Sequence, residues 1–230
     1  MPTQLIIADD HPLFRAALHQ TVQRLFPDAR VIEAEDMASL ERAVGLHPEA
    51  DLVLLDLHMP GAHGFSSLLF LRNQSPGTAV MVVSGVEGQS VIRRAMDFGA
   101  AGFIPKSAPL DTIGEAIRTV LDGGLWFSQD VESMPSAPDD VDLVSKLASL
   151  TPQQQRVLMM IADGLLNKQI AFTLAISEAT VKAHVTAILR KLGLYSRTQA
   201  AVIVERLQAH APQLAASPVA VAATPSAPPA

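Results

Sequence analysis

Five short apolar runs alternate with five amphipathic stretches over the first half of the chain, and this alternation restricts the fold more than any other feature. The apolar runs cover residues 4–8, 30–34, 52–55, 79–83 and 102–104. The third is four consecutive aliphatics, Leu52 to Leu55, the pattern of a strand buried on both faces. The stretches between them have helical spacing. His11-Pro12 opens the first, and Leu13, Ala17, Leu18, Val22 and Leu25 share one of its faces. The others span about 37–46, 65–73, 89–98 and 110–121, with Gly99 and Gly123-Gly124 stopping the last two. Strict alternation predicts a five-stranded parallel sheet, doubly wound, with helices on both faces.

In such a sheet every carboxyl-terminal strand end lies on one edge, where open α/β sheets keep their sites. The runs end in Asp9-Asp10, Asp56, Ser84 and Lys106, and Pro60, Gly61 and Gly64 turn the chain after Asp56. Crowded carboxylates repel one another, and a hard divalent cation relieves that repulsion. Oxygen ligands in a chain without cysteine favour Mg²⁺ over zinc. One carboxylate could then attack a phosphoryl group and form an acyl phosphate. Lys106 would supply a positive charge, and Ser84 a hydroxyl, to the phosphoryl oxygens. Each residue alone has a plainer reading: a capping Asp, a turn Lys, a core Phe103. His58 and His63 read as solvated loop side chains.

Charge divides the chain in two. Residues 1–144 carry 9 Lys+Arg against 20 Asp+Glu, a balance of −11, whereas 145–230 carry 8 against 3, a balance of +5. A basic segment attached to an acidic one suggests contact with a polyanion, most simply nucleic acid. Between the two, Ser, Pro, Asp and Glu without apolar period run from about Ser128 to Asp142 and mark a linker at 128–146, with apolar periodicity resuming near Leu143. Beyond it the pattern is wholly helical. Thr151-Pro152 starts one helix, Asn167 caps a second to about Leu174, Ser177 caps a third over 178–192, and a fourth covers about 198–207. Residues 209–230, with prolines at 212, 218, 225, 228 and 229, read as a disordered Ala/Pro-rich tail. No run approaches the ~20 apolar residues of a spanning helix, and no basic segment precedes an apolar one at the amino terminus. A cytoplasmic protein without membrane contact is expected.

The ordered strand ends, Asp9-Asp10, Asp56 with its Met-Pro-Gly turn, Ser84-Gly85 and Ile-Pro-Lys-Ser at 104–107, resemble the receiver domain of bacterial two-component response regulators over residues 1–127. The resemblance implies a flavodoxin-like fold in which Asp56 is the phosphoacceptor. It further implies that Asp9, Asp10, Asp56 and the His58 main-chain carbonyl hold Mg²⁺, that Lys106 pairs with the phosphoryl group, and that Ser84 and Phe103 switch together. Leu150-Thr-Pro, the run from Ile161 to Ala171, Ile176 to His184 and Leu189-Arg-Lys-Leu-Gly193 resemble the LuxR-type helix-turn-helix domain over 147–208. Together the two resemble a NarL/FixJ-type regulator.

That likeness implies a sensor histidine kinase and double-stranded DNA as partners, and a homodimer in the active form. Lys182 would make a base or phosphate contact, with Ala183 and Thr186 in the groove and Arg190 and Lys191 toward the backbone. His184 could touch DNA or pack against the neighbouring helix. The last helix would pair two copies, and the receiver would cover the recognition helix until phosphorylated. Two readings compete. One is a DNA-binding regulator whose receiver only docks proteins. The other is an aspartyl phosphatase, which would carry Asp-x-Asp on its first strand rather than the adjacent Asp9-Asp10. No enzyme activity is expected beyond self-phosphorylation and slow loss of the phosphoryl group.

Overall fold

A computed structural model describes residues 3–136 and 138–208. The tail expected at 209–230 lies outside the described residues. The strands are β1 (Gln4–Ala8), β2 (Arg30–Ala34), β3 (Leu52–Leu55), β4 (Ala79–Ser84) and β5 (Gly102–Pro105). Helices α1 (Pro12–Leu25), α2 (Met37–Leu46), α3 (Ser66–Gln74), α4 (Gln89–Asp97) and α5 (Leu110–Leu121) follow them in turn. All pairings are parallel, in the order β2-β1-β3-β4-β5. This is the flavodoxin-like order, and the alternation of the sequence is realised in full.

Side chains alternate across the sheet. Leu5, Ile7, Leu52, Leu54 and Met81 pack with Leu18 and Val22 of α1 and Ile113 and Ile117 of α5. Ile6, Val53, Leu55 and Val82 pack on the other side, with Leu40 of α2, Leu68 of α3 and Ala95 of α4. The ladder also fixes where the polar strand ends lie. The Asp9 amide donates to Ala34 O at 3.0 Å, the Asp56 amide to Ala8 O at 2.8 Å, and the Lys106 amide to Ser84 O at 2.8 Å. Asp9, Asp56 and Lys106 are thus each the first residue beyond a strand, the backbone held by the neighbouring strand.

The second domain contains α8 (Pro152–Ala162), α9 (Asn167–Thr173), α10 (Glu178–Leu192) and α11 (Arg197–Gln208). The segment expected to be a linker is instead partly helical, with α6 (Gln129–Glu132) and α7 (Pro138–Ala148). Val131 is fully buried, and Leu143 and Leu147 join the core against α8 and α10. Two leucines four residues apart suffice to bury one stripe of a short helix, even where Pro and Asp hide the period. A second correction concerns Asn167, which is the first residue of α9 rather than its cap. Its Oδ1 accepts from Arg197 at 2.8 Å, while Gln169 Oε1 accepts from the Leu166 amide at 2.7 Å.

The two domains share one apolar cluster running from Leu68 and Phe70 to Leu158 and Leu207. Polar contacts reinforce it. Arg156 pairs with Glu41 at 2.7 Å, His63 with Asp163 at 3.3 Å, and Asn73 Nδ2 donates to Leu150 O at 3.4 Å. His63 is therefore an interdomain contact with a largely buried side chain, not the solvated loop residue expected.

Helix α2 supplies a test of local stability. Asp36 accepts from the Ser39 amide at 2.6 Å, and Ser39 Oγ accepts from the Asp36 amide at 3.1 Å, a reciprocal cap. The Ser39 hydroxyl and then its amide hold the Asp36 carboxyl below its ordinary 3.8. A lowered carboxyl stabilises the fold above its unfolded pKa and loses that contribution as pH falls through the folded value. Asp36→Ala should cost about 1 kcal/mol in denaturant unfolding at pH 7. The difference from the parent protein should shrink as the buffer is taken well below pH 3.8.

Candidate functional site

At the carboxyl edge of the sheet, Asp9 and Asp56 are 1% and 2% exposed. Two buried carboxylates side by side need a counter-charge. Lys106 provides it, its ammonium 2.8 Å from Asp56 Oδ2 and 2.7 Å from Asp9 Oδ2. The ammonium also lies over the Phe14 ring, 5.1 Å from its centre. Burial by itself would pull the Lys106 pKa down, but the contacts with Asp56 and Asp9 outweigh it and raise it above 10.5. The ammonium therefore keeps its proton at every physiological pH.

The cluster is larger than the sequence suggested. Asp9, Asp10, His11 and Asp56 present ligand atoms within 4.8 Å of one another. His11 Nδ1 lies 2.6 Å from Asp10 Oδ1, and the His11 amide donates to Asp9 Oδ1 at 2.8 Å. Asp9 Oδ2 and Asp10 Oδ1 are buried, one beside the Lys106 ammonium and the other beside the His11 ring. Carboxylate oxygens crowded on one edge are a donor set that a divalent cation fits. The His58 amide donates to Asp56 Oδ1 at 3.1 Å and so fixes the chain just beyond the acceptor. His11 was missed because an imidazole next to two aspartates reads as the helix opening it also forms.

Ser84 is fully buried at the end of β4, and its Oγ accepts from the Val86 amide at 3.2 Å. Phe103 of β5 is buried in the core face shared with α4. From that side Arg94 of α4 runs to the second domain. Its guanidinium lies 5.1 Å from the Phe65 ring centre and 5.6 Å from that of Phe98, and the two rings stack at 5.2 Å. Its tips donate to Arg206 O near the end of α11 at 3.4 and 3.5 Å.

In the second domain α9 and α10 meet through a tight turn in which Ala175 has a positive φ of 51°. Ser177 Oγ accepts from the Thr180 amide at 3.0 Å, and Gly193, with φ 69°, closes α10 in the left-handed conformation. Val181, Ile188 and Leu192 are buried, and Lys182, Ala183, Thr186 and Arg190 form an exposed face. His184 is half-buried. Two expectations need correction. Lys191 turns inward, donating to Ser149 O at 2.6 Å and to Gln154 Oε1 at 2.8 Å, so it braces α10 against the start of α8. The receiver does not cover the recognition face either, because it packs instead on α7, α8 and the end of α11.

Comparison with known proteins matches both halves. Residues 5–118 match the family described as response regulator receiver domain, and residues 148–204 the family described as bacterial regulatory proteins, luxR family. The chain is 41% identical over 210 residues to the glycerol metabolism activator of Pseudomonas putida, covering 86% of this chain and 92% of that one. It is 36% identical over 210 residues to the nitrate/nitrite response regulator NarP of Escherichia coli K12, covering 88% and 94%. Among solved structures, RcsB from Salmonella enterica serovar Typhimurium, bound to a promoter with phosphomimetic BeF3−, has a similar fold. The TM-score is 0.52 at 21% identity, over 89% of this chain and 98% of that one.

The electrostatic role of Lys106 is open to direct measurement. Replacing it with methionine leaves Asp9 and Asp56 facing each other, and should cost on the order of 3 kcal/mol at pH 7 by chemical denaturation. A Lys106→Met protein as stable as its parent would mean the carboxylates are neutralised some other way.

Proposed function

The chain belongs to the NarL/FixJ-type two-component response regulators, and from that premise we propose a DNA-binding transcription regulator switched by phosphorylation of Asp56. A sensor histidine kinase donates the phosphoryl group. An Asp56 carboxylate oxygen attacks phosphorus, the bond from phosphorus to the donor nitrogen breaks, and an acyl phosphate forms. Asp9, Asp10, Asp56 and the His58 carbonyl would hold Mg²⁺, which when bound would supply charge neutralisation at the acceptor. The observation that carries the reading is the Lys106 ammonium, 2.8 Å from Asp56 Oδ2, ready to pair with phosphoryl oxygens as charge builds there.

The switch begins at Ser84. To reach the phosphoryl group its hydroxyl leaves the Val86 amide, three residues before α4 begins, and Phe103 follows into the vacated space. Movement of α4 withdraws Arg94 from the Arg206 carbonyl and uncovers the end of α11. Helix α11 then pairs two copies, so that two α10 helices enter successive major grooves. Lys182, Ala183, Thr186 and Arg190 are already exposed in this arrangement. Control therefore falls on pairing through α11, not on access to the recognition face.

Incubation with acetyl phosphate and Mg²⁺ should add one phosphoryl group by intact mass, and none to Asp56→Asn. An equal adduct on the variant would move the acceptor elsewhere. Arg94→Ala breaks the tie to α11 without touching the acidic cluster. It should raise the dimer fraction of the unphosphorylated protein several-fold by sedimentation, with a parallel gain in DNA affinity.

A further inference from the structure

A cavity of about 460 Å³ opens between the receiver and the helical domain, and neither the acidic cluster nor the exposed face of α10 lines it. Its walls are apolar and come from both domains: Met37 of α2, Leu69 and Phe70 of α3, Leu158 and Met159 of α8, and Leu174. Three methionines, with Met160, make the wall adaptable to differently shaped guests. A volume of this size is in the range of small-molecule sites.

The polar groups in this wall define what would fit. Gln155 is only 6% exposed, lines the cavity, and its Oε1 is buried with no hydrogen-bond partner. Arg156, also in the wall, has a buried Nε–H without an acceptor, although its Nη2 is engaged by Glu41 at 2.7 Å. Asp163 faces His63 at 3.3 Å. Arg156 and Glu41 thus neutralise each other, and the Asp163 carboxylate has the His63 ring opposite it. What is missing is a donor for Gln155 and an acceptor for Arg156. A hydroxyl supplies either.

We propose that this interdomain cavity binds a small neutral molecule with an apolar body and a hydroxyl group, held by the Gln155 side-chain carbonyl. Such a guest touches both domains at once. It binds best where they are docked as here, and by mass action favours that arrangement over one in which they part.

The full-length protein, labelled with ¹³C at the methionine methyls, can be titrated with benzyl alcohol and, separately, with toluene. Benzyl alcohol should shift the Met37, Met159 and Met160 methyls saturably and leave Met81, in the opposite core, unmoved. Toluene, lacking the hydroxyl, should bind about tenfold more weakly. Gln155→Leu should erase that difference while both ligands still bind. Ala38→Phe, which places a ring at the cavity wall without altering the buried core, should weaken both. The proposal fails if the shifts do not saturate or are spread over all methionines. It fails equally if Ala38→Phe binds as the parent does, or if Gln155→Leu keeps the preference for the alcohol.

Discussion

One lysine between two buried carboxylates sets the terms for the receiver. Asp9 and Asp56 are placed on the same edge by the backbone ladder, not by mutual attraction, and their charges oppose being there. Lys106 reaches that edge because β5 is hydrogen-bonded to β4, whose Ser84 carbonyl holds the Lys106 amide. The sheet order and the chemistry of the edge are therefore one constraint. A strand shifted by one residue would turn its functional group to the other face and break the cluster. The same arrangement crowds the Asp9, Asp10 and Asp56 carboxylates on one edge, which keeps the pocket receptive to added positive charge.

What could be read from the sequence follows from this. Strand ends were legible because four buried apolar residues precede Asp9, Asp56 and Ser84, and α5 and α10 were legible because Gly123 follows the one and Ser177 and Gly193 bound the other. Features that depend on pairing across the fold were not. Phe98 lies four residues from Arg94 at the end of the same helix, but nothing local predicts the Phe65 ring that stacks on it and completes the hold on the guanidinium. Lys191 has the spacing of a backbone-contacting residue on α10, yet the Ser149 carbonyl and the Gln154 side chain at the start of α8 supply it with acceptors that no helical period reveals. The start of α7 escaped because Pro and Asp precede the two buried leucines, Leu143 and Leu147, that carry its apolar period.

The two domains are joined by different physics on different sides. Around Leu158 and Phe70 the contact is apolar and adaptable, whereas Arg94, Arg156 and His63 make directional contacts at its margin. Directional contacts can be lost singly as one helix moves, and apolar contacts tolerate sliding before they part. An interface composed in this way suits a joint that must hold firmly in one state and yield in another.

The shared apolar cluster also bears on how the molecule comes apart. Leu68 and Phe70 in the receiver and Leu158 and Leu207 in the helical domain belong to one contiguous body of buried side chains. Neither domain can lose its packing on that side without exposing part of the other's. Heated in the docked form, the chain should melt as a single cooperative unit. Whatever separates the domains would turn that one transition into two, so the calorimetric trace itself reports how tightly they are joined.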